Sequence, residues 1–80
     1  MAIENNLKIY RKKRKITQTE LAKRASVSRQ SIYAIETQKS EPSLELAFKL
    51  SSILEVEITE LFIWSGNKKD DDAIPAFSIF

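Results

Sequence analysis

The sequence has 80 residues, with 13 Lys and Arg, 11 Asp and Glu, and neither Cys nor His. This length allows one small domain with a thin core, and a hydrophobic fraction of 42% is typical of a globular chain. The missing Cys and His exclude disulfides, thiolate metal sites and the commonest general base, so no enzyme, cofactor or metal site is expected. The chain shows no signal peptide and no apolar run of membrane-spanning length, which predicts a cytoplasmic location.

Charge is divided unevenly along the chain. Residues 1–39 contain ten Lys and Arg against three Glu, a balance of +7, whereas residues 40–80 contain three Lys against eight acids, a balance of −5. This asymmetry predicts that the first half faces a polyanion and the second half faces water or a protein partner.

The first helix is predicted over residues 3–14, because Ile3, Leu7 and Tyr10 form one apolar stripe. The basic run Arg11–Lys15 ends it. Such a run is either a solvated helix end that suits the helix dipole, or a source of phosphate contacts; the two interpretations are compatible.

Residues 18–36 read as two short helices joined by a tight turn. Thr17 and Glu20 have the spacing of a capping box, which predicts a second helix from there to about Ala25. Ser28 is the expected N-cap of a third helix that ends near Glu36. Its outward side chains include Arg and Gln, which can hydrogen-bond base edges, so the segment is interpreted as a DNA-reading element.

Two further helices are predicted before the chain becomes polar. Ser43 should cap a fourth, central helix, and residues 58–64 should form a short fifth. The fold class is therefore all-α, a compact five-helix domain over residues 1–65. Residues 66–80 form a C-terminal tail whose last eight residues, AIPAFSIF, are strongly apolar. The tail is interpreted as a short strand or arm for dimerisation or partner binding, with packing on its own domain as the alternative.

Residues 7–62 resemble the lambda-repressor-like helix-turn-helix family, the Cro and xenobiotic-response-element type of transcriptional regulator. The resemblance is carried by Arg11, by Ile16–Ala22, by Val27–Ile32, by Ala34–Glu36, by Pro42–Ala47, and by Val56, Ile58, Leu61 and Phe62. It implies a sequence-specific DNA-binding regulator, bacterial or phage in type and most often a repressor. Such a protein binds a palindromic operator as a homodimer, with the third helix in the major groove.

The resemblance also implies roles for individual residues. Base edges are read by Arg29, Gln30, Tyr33 and Ala34. Phosphates are contacted by Arg11, Arg14, Gln18, Ser28, Ser31, Lys39 and Ser40. Arg11 and Glu36 form a structural pair that joins the first helix to the end of the third. The dimer interface is expected at Val56, Ile58, Phe62, Trp64, Ile74, Phe77 and Ile79.

Three positions depart from the family pattern, which often has Gly there. They are Ser26, Gln38 and Glu55, and each is expected to be strained or locally rearranged, because Gly serves where φ is positive. Glu57 replaces the usual capping side chain of the fifth helix, which predicts a frayed start.

Two rival functions remain open at this level. The first is a protein-interaction module, antitoxin-like, whose apolar tail binds a partner; this is compatible with promoter binding. The second is a carboxylate-based metal or enzyme site at residues 70–72. Three adjacent Asp cannot all point inward, so a solvated acidic turn is favoured there.

Overall fold

The computed structural model describes residues 3–64. The elements in chain order are β1 (Ile3–Asn5), α1 (Leu7–Lys13), α2 (Gln18–Ala25), α3 (Arg29–Glu36), α4 (Leu44–Leu54), α5 (Ile58–Leu61) and β2 (Phe62–Trp64). The predicted five-helix fold is confirmed, and a small two-stranded antiparallel sheet is added to it.

Hydroxyl side chains start three of the helices. Thr17, Ser28 and Ser43 each accept a hydrogen bond from the backbone N–H three residues later, which satisfies one free donor of α2, α3 and α4. The capping box at α2 is only half formed, because the Glu20 carboxylate bonds Arg24 one turn later. At α5 the Glu60 carboxylate accepts from the backbone N–H of Glu57, so this N-terminus is not left without a partner.

The core lies between the helix-turn-helix pair and α4. Its fully buried large side chains are Leu7, Leu21, Ile32, Ile35, Leu50, Leu54 and Leu61. Leu21 and Ile32 come from the inner faces of α2 and α3, while Leu50 and Leu54 come from one side of α4. Helix α3 is therefore packed against α2 and α4 through its inner face.

Helices α1 to α4 all end in a left-handed residue that is not Gly. These residues are Lys15, Ser26, Gln38 and Glu55, with φ of 58°, 61°, 66° and 57°. After each of them the next backbone N–H bonds a carbonyl five residues back, as in Ile16 to Arg11 and Val27 to Ala22, so each helix ends in a Schellman motif. The left-handed backbone is retained without Gly at the three expected positions, and at Lys15, which the sequence analysis missed.

The structure corrects two element boundaries. Residues 3–5 were predicted as the start of the first helix, but they form β1 and the helix begins at Leu7. The fifth helix was predicted to reach Trp64, but it ends at Leu61 and continues as β2. The two strands pair with each other, Ile3 opposite Trp64 and Asn5 opposite Phe62. The hydrogen bonds between β1 and β2 therefore determine the conformation of residues 3–5, although Ile3 has helical spacing with Leu7 and Tyr10.

Candidate nucleic-acid interface

The turn between α2 and α3 is closed by its own backbone and by one apolar side chain. Ser26 takes the left-handed conformation, and the N–H of Val27 bonds the Ala22 carbonyl at 3.0 Å. The Val27 side chain is half-buried against the core. This geometry fixes α3 at an angle to α2 and leaves one face of α3 outside the core.

Three of the four expected base-reading side chains are exposed. Arg29 and Gln30 occupy the first turn of α3 and are exposed, and Tyr33, one turn on, is 46% exposed. Ala34 is half-buried, so only part of its methyl group is accessible. The exposed edge offers a guanidinium, an amide and a phenol, which together can donate and accept hydrogen bonds with base edges.

A chain of hydrogen bonds runs behind this edge. The Arg11 Nε donates to Glu36 Oε2 at 2.6 Å, and Arg11 Nη2 donates to Glu36 Oε1 at 3.3 Å. The same Oε1 accepts from Gln18 Nε2 at 3.0 Å, and Gln18 Oε1 accepts from Arg29 Nη1 at 3.2 Å. A carboxylate only accepts and a guanidinium only donates, so the Gln18 amide has one possible orientation between them.

The Arg11–Glu36 pair is interior. The two side chains are 9% and 2% exposed, and Arg11 Nη1 also donates to the Ile16 carbonyl at 2.8 Å. Three of the N–H groups of Arg11 are therefore directed into the protein. The structural pair of Arg11 and Glu36 is therefore present, whereas the expected contact of Arg11 with phosphate stays a prediction.

The loop after α3 satisfies its own backbone. The N–H groups of Lys39 and Ser40 both bond the Ala34 carbonyl, at 2.8 and 3.2 Å. Neither backbone donor is free for a phosphate, so a contact from this loop would use the exposed side chains of these residues.

The remaining expected phosphate contacts differ in availability. Arg14 is exposed and paired with Glu55 at 3.0 Å on the surface, a pair that costs little to break. The Ser28 hydroxyl is engaged as the α3 N-cap and lies 3.0 Å from the Ser31 hydroxyl. Gln18 is half-buried and keeps one amide N–H beyond the bond to Glu36.

The expected dimer residues are only partly available as a surface. Val56 and Phe62 are half-buried and pack against the core of their own domain. Ile58 is half-buried and lines a surface groove, whereas Trp64 is 49% exposed at the end of β2. Ile74, Phe77 and Ile79 lie outside the described residues.

Sequence reasoning missed one residue near the interface. The Asn5 side chain donates to the Ile35 carbonyl at the C-terminal end of α3, at 2.8 Å. Two Asn directly before an apolar helical stripe are a helix-start signal, which would have moved the start of the first helix to Leu7. The bond to α3 spans 30 residues and has no local signal.

Residues 7–61 match the model of the helix-turn-helix family HTH_3. The chain belongs to this family. Its members are DNA-binding transcriptional regulators rather than enzymes.

The curated relatives are archaeal. An uncharacterised HTH-type transcriptional regulator of Methanocaldococcus jannaschii is 46% identical over 66 residues, which are 82% of this chain and 100% of the relative. One from Archaeoglobus fulgidus is 39% identical over 62 residues, 78% of this chain and 87% of the relative. One from Methanothermobacter thermautotrophicus is 44% identical over 55 residues, 68% of this chain and 80% of the relative. These relatives give no support to the expected bacterial or phage origin.

In residues 3–64, none of the helices has the length and apolar character that crossing a bilayer requires.

Proposed function

We propose that the protein is a repressor that binds a palindromic operator as a homodimer, with α3 of each copy in the major groove. The observation that carries this proposal is the exposed Arg29–Gln30–Tyr33 edge on a helix whose far end is fixed by a buried ion pair. Rigid support matters because base recognition requires the side chains to be in place before binding. Residues 1–65 are the DNA-binding domain in this proposal, and it acts in the cytoplasm on the nucleoid.

The base readers have distinct chemical tasks. Arg29 can bond guanine O6 and N7 through two N–H groups, and Gln30 can bond adenine N6 and N7. Tyr33 reaches a base or a phosphate one turn further on, and the exposed part of Ala34 meets a thymine methyl. Arg14, Lys39 and Ser40 contact phosphates, which sets the register without adding sequence information.

A dimer is proposed because one short helix reads too few base pairs for a unique site. Two half-sites about 10–10.5 bp apart on a two-fold operator double the sequence that is read. Trp64 supplies an exposed aromatic at the end of β2, Phe62 begins the same strand, and Val56 and Ile58 come shortly before it in the chain. Aromatic side chains of this kind are common at the centre of protein interfaces.

Selection of bound sites from a random duplex pool tests this proposal, with the mass of the free and bound protein measured in parallel. A recovered palindrome with two spaced half-sites, together with the mass of two chains per duplex, is the expected result. Recovery of unrelated sequences, or of one short site bound by one chain, contradicts it.

A second candidate function is binding of a protein partner, as in an antitoxin-like regulator. It is favoured by an apolar groove of about 290 Å³, whose lining includes Ile3, Leu44, Ile58 and Phe62. Leu44 of this lining is 73% exposed, and Phe48, one turn later on α4, is 54% exposed. If this function holds, the free protein stays monomeric with Trp64 accessible to quenchers, and it assembles only with its partner.

A further inference from the structure

We infer that Asn5 is a positioning residue that fixes the orientation of α3 relative to the β1–β2 sheet, and thereby the half-site spacing that the dimer accepts. This inference rests on the proposed dimeric function. Asn5 acts through α3 and makes no proposed contact with DNA itself.

The Asn5 side chain uses both ends of its amide. Its Nδ2 donates to the Ile35 carbonyl at 2.8 Å, and its Oδ1 accepts from the Leu7 backbone N–H at 3.0 Å. One partner only accepts and the other only donates, so the orientation of the amide is fixed. Asn5 is half-buried, which reduces competition from water. One side chain therefore joins the start of α1 to the end of α3.

The backbone of Asn5 belongs to the sheet. Asn5 pairs with Phe62 of β2, and Ile3 pairs with Trp64 at the other end of the same strands. The next backbone N–H, that of Asn6, bonds the Leu61 carbonyl at 2.8 Å. The strand that carries Trp64, a proposed dimer contact, pairs with β1 at three positions, and the Asn5 side chain connects β1 to α3.

Two side-chain contacts from the first part of the chain, one of them a buried ion pair, hold the C-terminal end of α3. Asn5 bonds the carbonyl of Ile35, and Arg11 bonds the carboxylate of Glu36, the next residue. Arg29, at the other end, is exposed and bonded to Gln18. A helix of this length is about 12 Å long, so a tilt of about ten degrees around its anchored end moves the reading residues by about 2 Å.

A displacement of that size matters for a dimer and much less for one subunit. Successive base pairs are separated by about 3.4 Å along the axis, so about 2 Å is more than half of one step. A single subunit bound to one half-site can compensate for a tilted α3 by moving as a rigid body on the DNA. Two joined copies cannot both shift, because their separation is fixed by the dimer interface.

The test uses a change that separates the two hydrogen bonds of Asn5. Asn5→Asp keeps an oxygen that accepts from Leu7 N–H, but it replaces the donor toward Ile35 with a second acceptor. Asn5→Ser is the second, uncharged variant, since its hydroxyl caps the helix start but is too short to reach Ile35. Asn6→Asp is the matched control, because the Asn6 Nδ2 donates to the Glu60 carbonyl at 3.1 Å rather than to a residue of α3.

The measurement is affinity for a series of operators whose two half-sites are separated by one base pair more or fewer than in the selected site. Wild type and Asn6→Asp should lose affinity steeply away from the preferred spacing. For Asn5→Asp and Asn5→Ser, the loss of affinity on changing the spacing by one base pair should be about three- to tenfold smaller than for wild type. This difference is the size expected for the removal of one interior hydrogen bond. Base preference within a half-site should stay unchanged in all four proteins, and a merely structural role would not alter the spacing profile alone.

The inference is overturned if the folded Asn5 variants show the spacing profile of wild type, or if they lose half-site base preference as well. The proposed function fails separately, when wild type binds without any preferred spacing or as a single chain. Thermal unfolding of each variant establishes that a folded protein was measured. If Asn5→Asp does not fold, the Asn5→Ser profile decides.

Discussion

Arg29 and Lys39 are both exposed cations near α3, but they have different partners in the free protein. The guanidinium of Arg29 is held by Gln18, whose amide is held in turn by the buried Glu36. Lys39 lies on the loop after α3, and its backbone N–H is satisfied internally. The Arg29 guanidinium is therefore preorganised for a directional contact, whereas the Lys39 ammonium is an exposed charge without a side-chain hydrogen bond or ion pair within residues 3–64.

Arg29→Ala should therefore relax base preference at one position of each half-site, by about 1–3 kcal/mol. Lys39→Ala should weaken binding to operator and random DNA by the same factor, because a phosphate contact carries no sequence information. Binding isotherms on the operator, on single-base variants and on random duplex measure both effects. Equal losses on all duplexes for Arg29→Ala would remove it from the readers.

The Arg11–Glu36 pair should dominate the electrostatic part of stability. Glu36→Ala leaves the Arg11 charge buried without its partner, and the expected loss is about 3–5 kcal/mol in the free energy of unfolding. Urea unfolding measures this loss. Glu20→Ala, which breaks the exposed pair with Arg24, is the control, with an expected loss of about 0.5 kcal/mol. Similar losses for the two variants would mean that burial adds nothing to the pair.

At the scale of secondary structure, the starts of the helices could be predicted from residue type, whereas the left-handed residues at their ends could not. Thr17, Ser28 and Ser43 were identified as caps because a hydroxyl before an apolar helical period is a local signal. The left-handed ends at Ser26, Gln38 and Glu55 were anticipated from the resemblance, since the residues themselves give no sign of positive φ. The left-handed conformation of Lys15 was not predicted, because a Lys within a basic run does not indicate a turn.

The two strands could not be predicted for a related reason. Each strand has three residues, which are too few to show an alternating pattern. Each is stabilised by pairing with the other strand, which is adjacent in space but far away in the sequence. Ile3, Leu7 and Tyr10 are spaced like one face of a helix although Ile3 belongs to β1, so the local pattern predicted a helix that was too long. The hydrogen bond from Asn5 to Ile35 could not be predicted for the same reason, because it joins residues far apart in the sequence. The polar edge of α3 could be predicted, because its residues lie within one helix of eight residues.

Ser26→Gly should raise the free energy of unfolding by about 0.5–1 kcal/mol. The left-handed backbone costs a residue with a Cβ about 1–2 kcal/mol, and the greater freedom of Gly in the unfolded chain offsets about 0.4–1 kcal/mol of the gain. Urea unfolding is the measurement. Ser52→Gly is the matched control: it makes the same change at an exposed position within α4, where a loss of about 0.5 kcal/mol is expected. A loss at both positions would show that Ser26 is unstrained.

At the scale of the whole molecule, the basic first half is expected to face DNA and the acidic second half to face water or a protein partner. With about eight to ten phosphate contacts per dimer, the logarithm of the binding constant should fall with the logarithm of salt concentration with a slope of about −7 to −9. Titrations between low and moderate salt measure the slope. A slope of about half this value would indicate that one copy binds alone.

Trp64 offers a separate test of the dimer, because it is the one Trp of the chain. If β2 lies at the interface, raising the protein concentration should shift Trp64 emission to shorter wavelength and protect it from quenching. The transition should coincide with the change in mass. Trp64 emission that does not change with concentration, in a protein whose mass doubles, would place the interface elsewhere.

The pairing of Ile3 with Trp64 has a consequence for how the chain can be rebuilt. The two residues lie side by side, so the path of the chain through residues 3–64 begins and ends at one place. A linker of a few residues could close the backbone into a ring there, and the ring could be opened at another connection without removing a core contact. The order in which the helices follow one another along the chain is therefore separable from the arrangement that brings α3 to its surface.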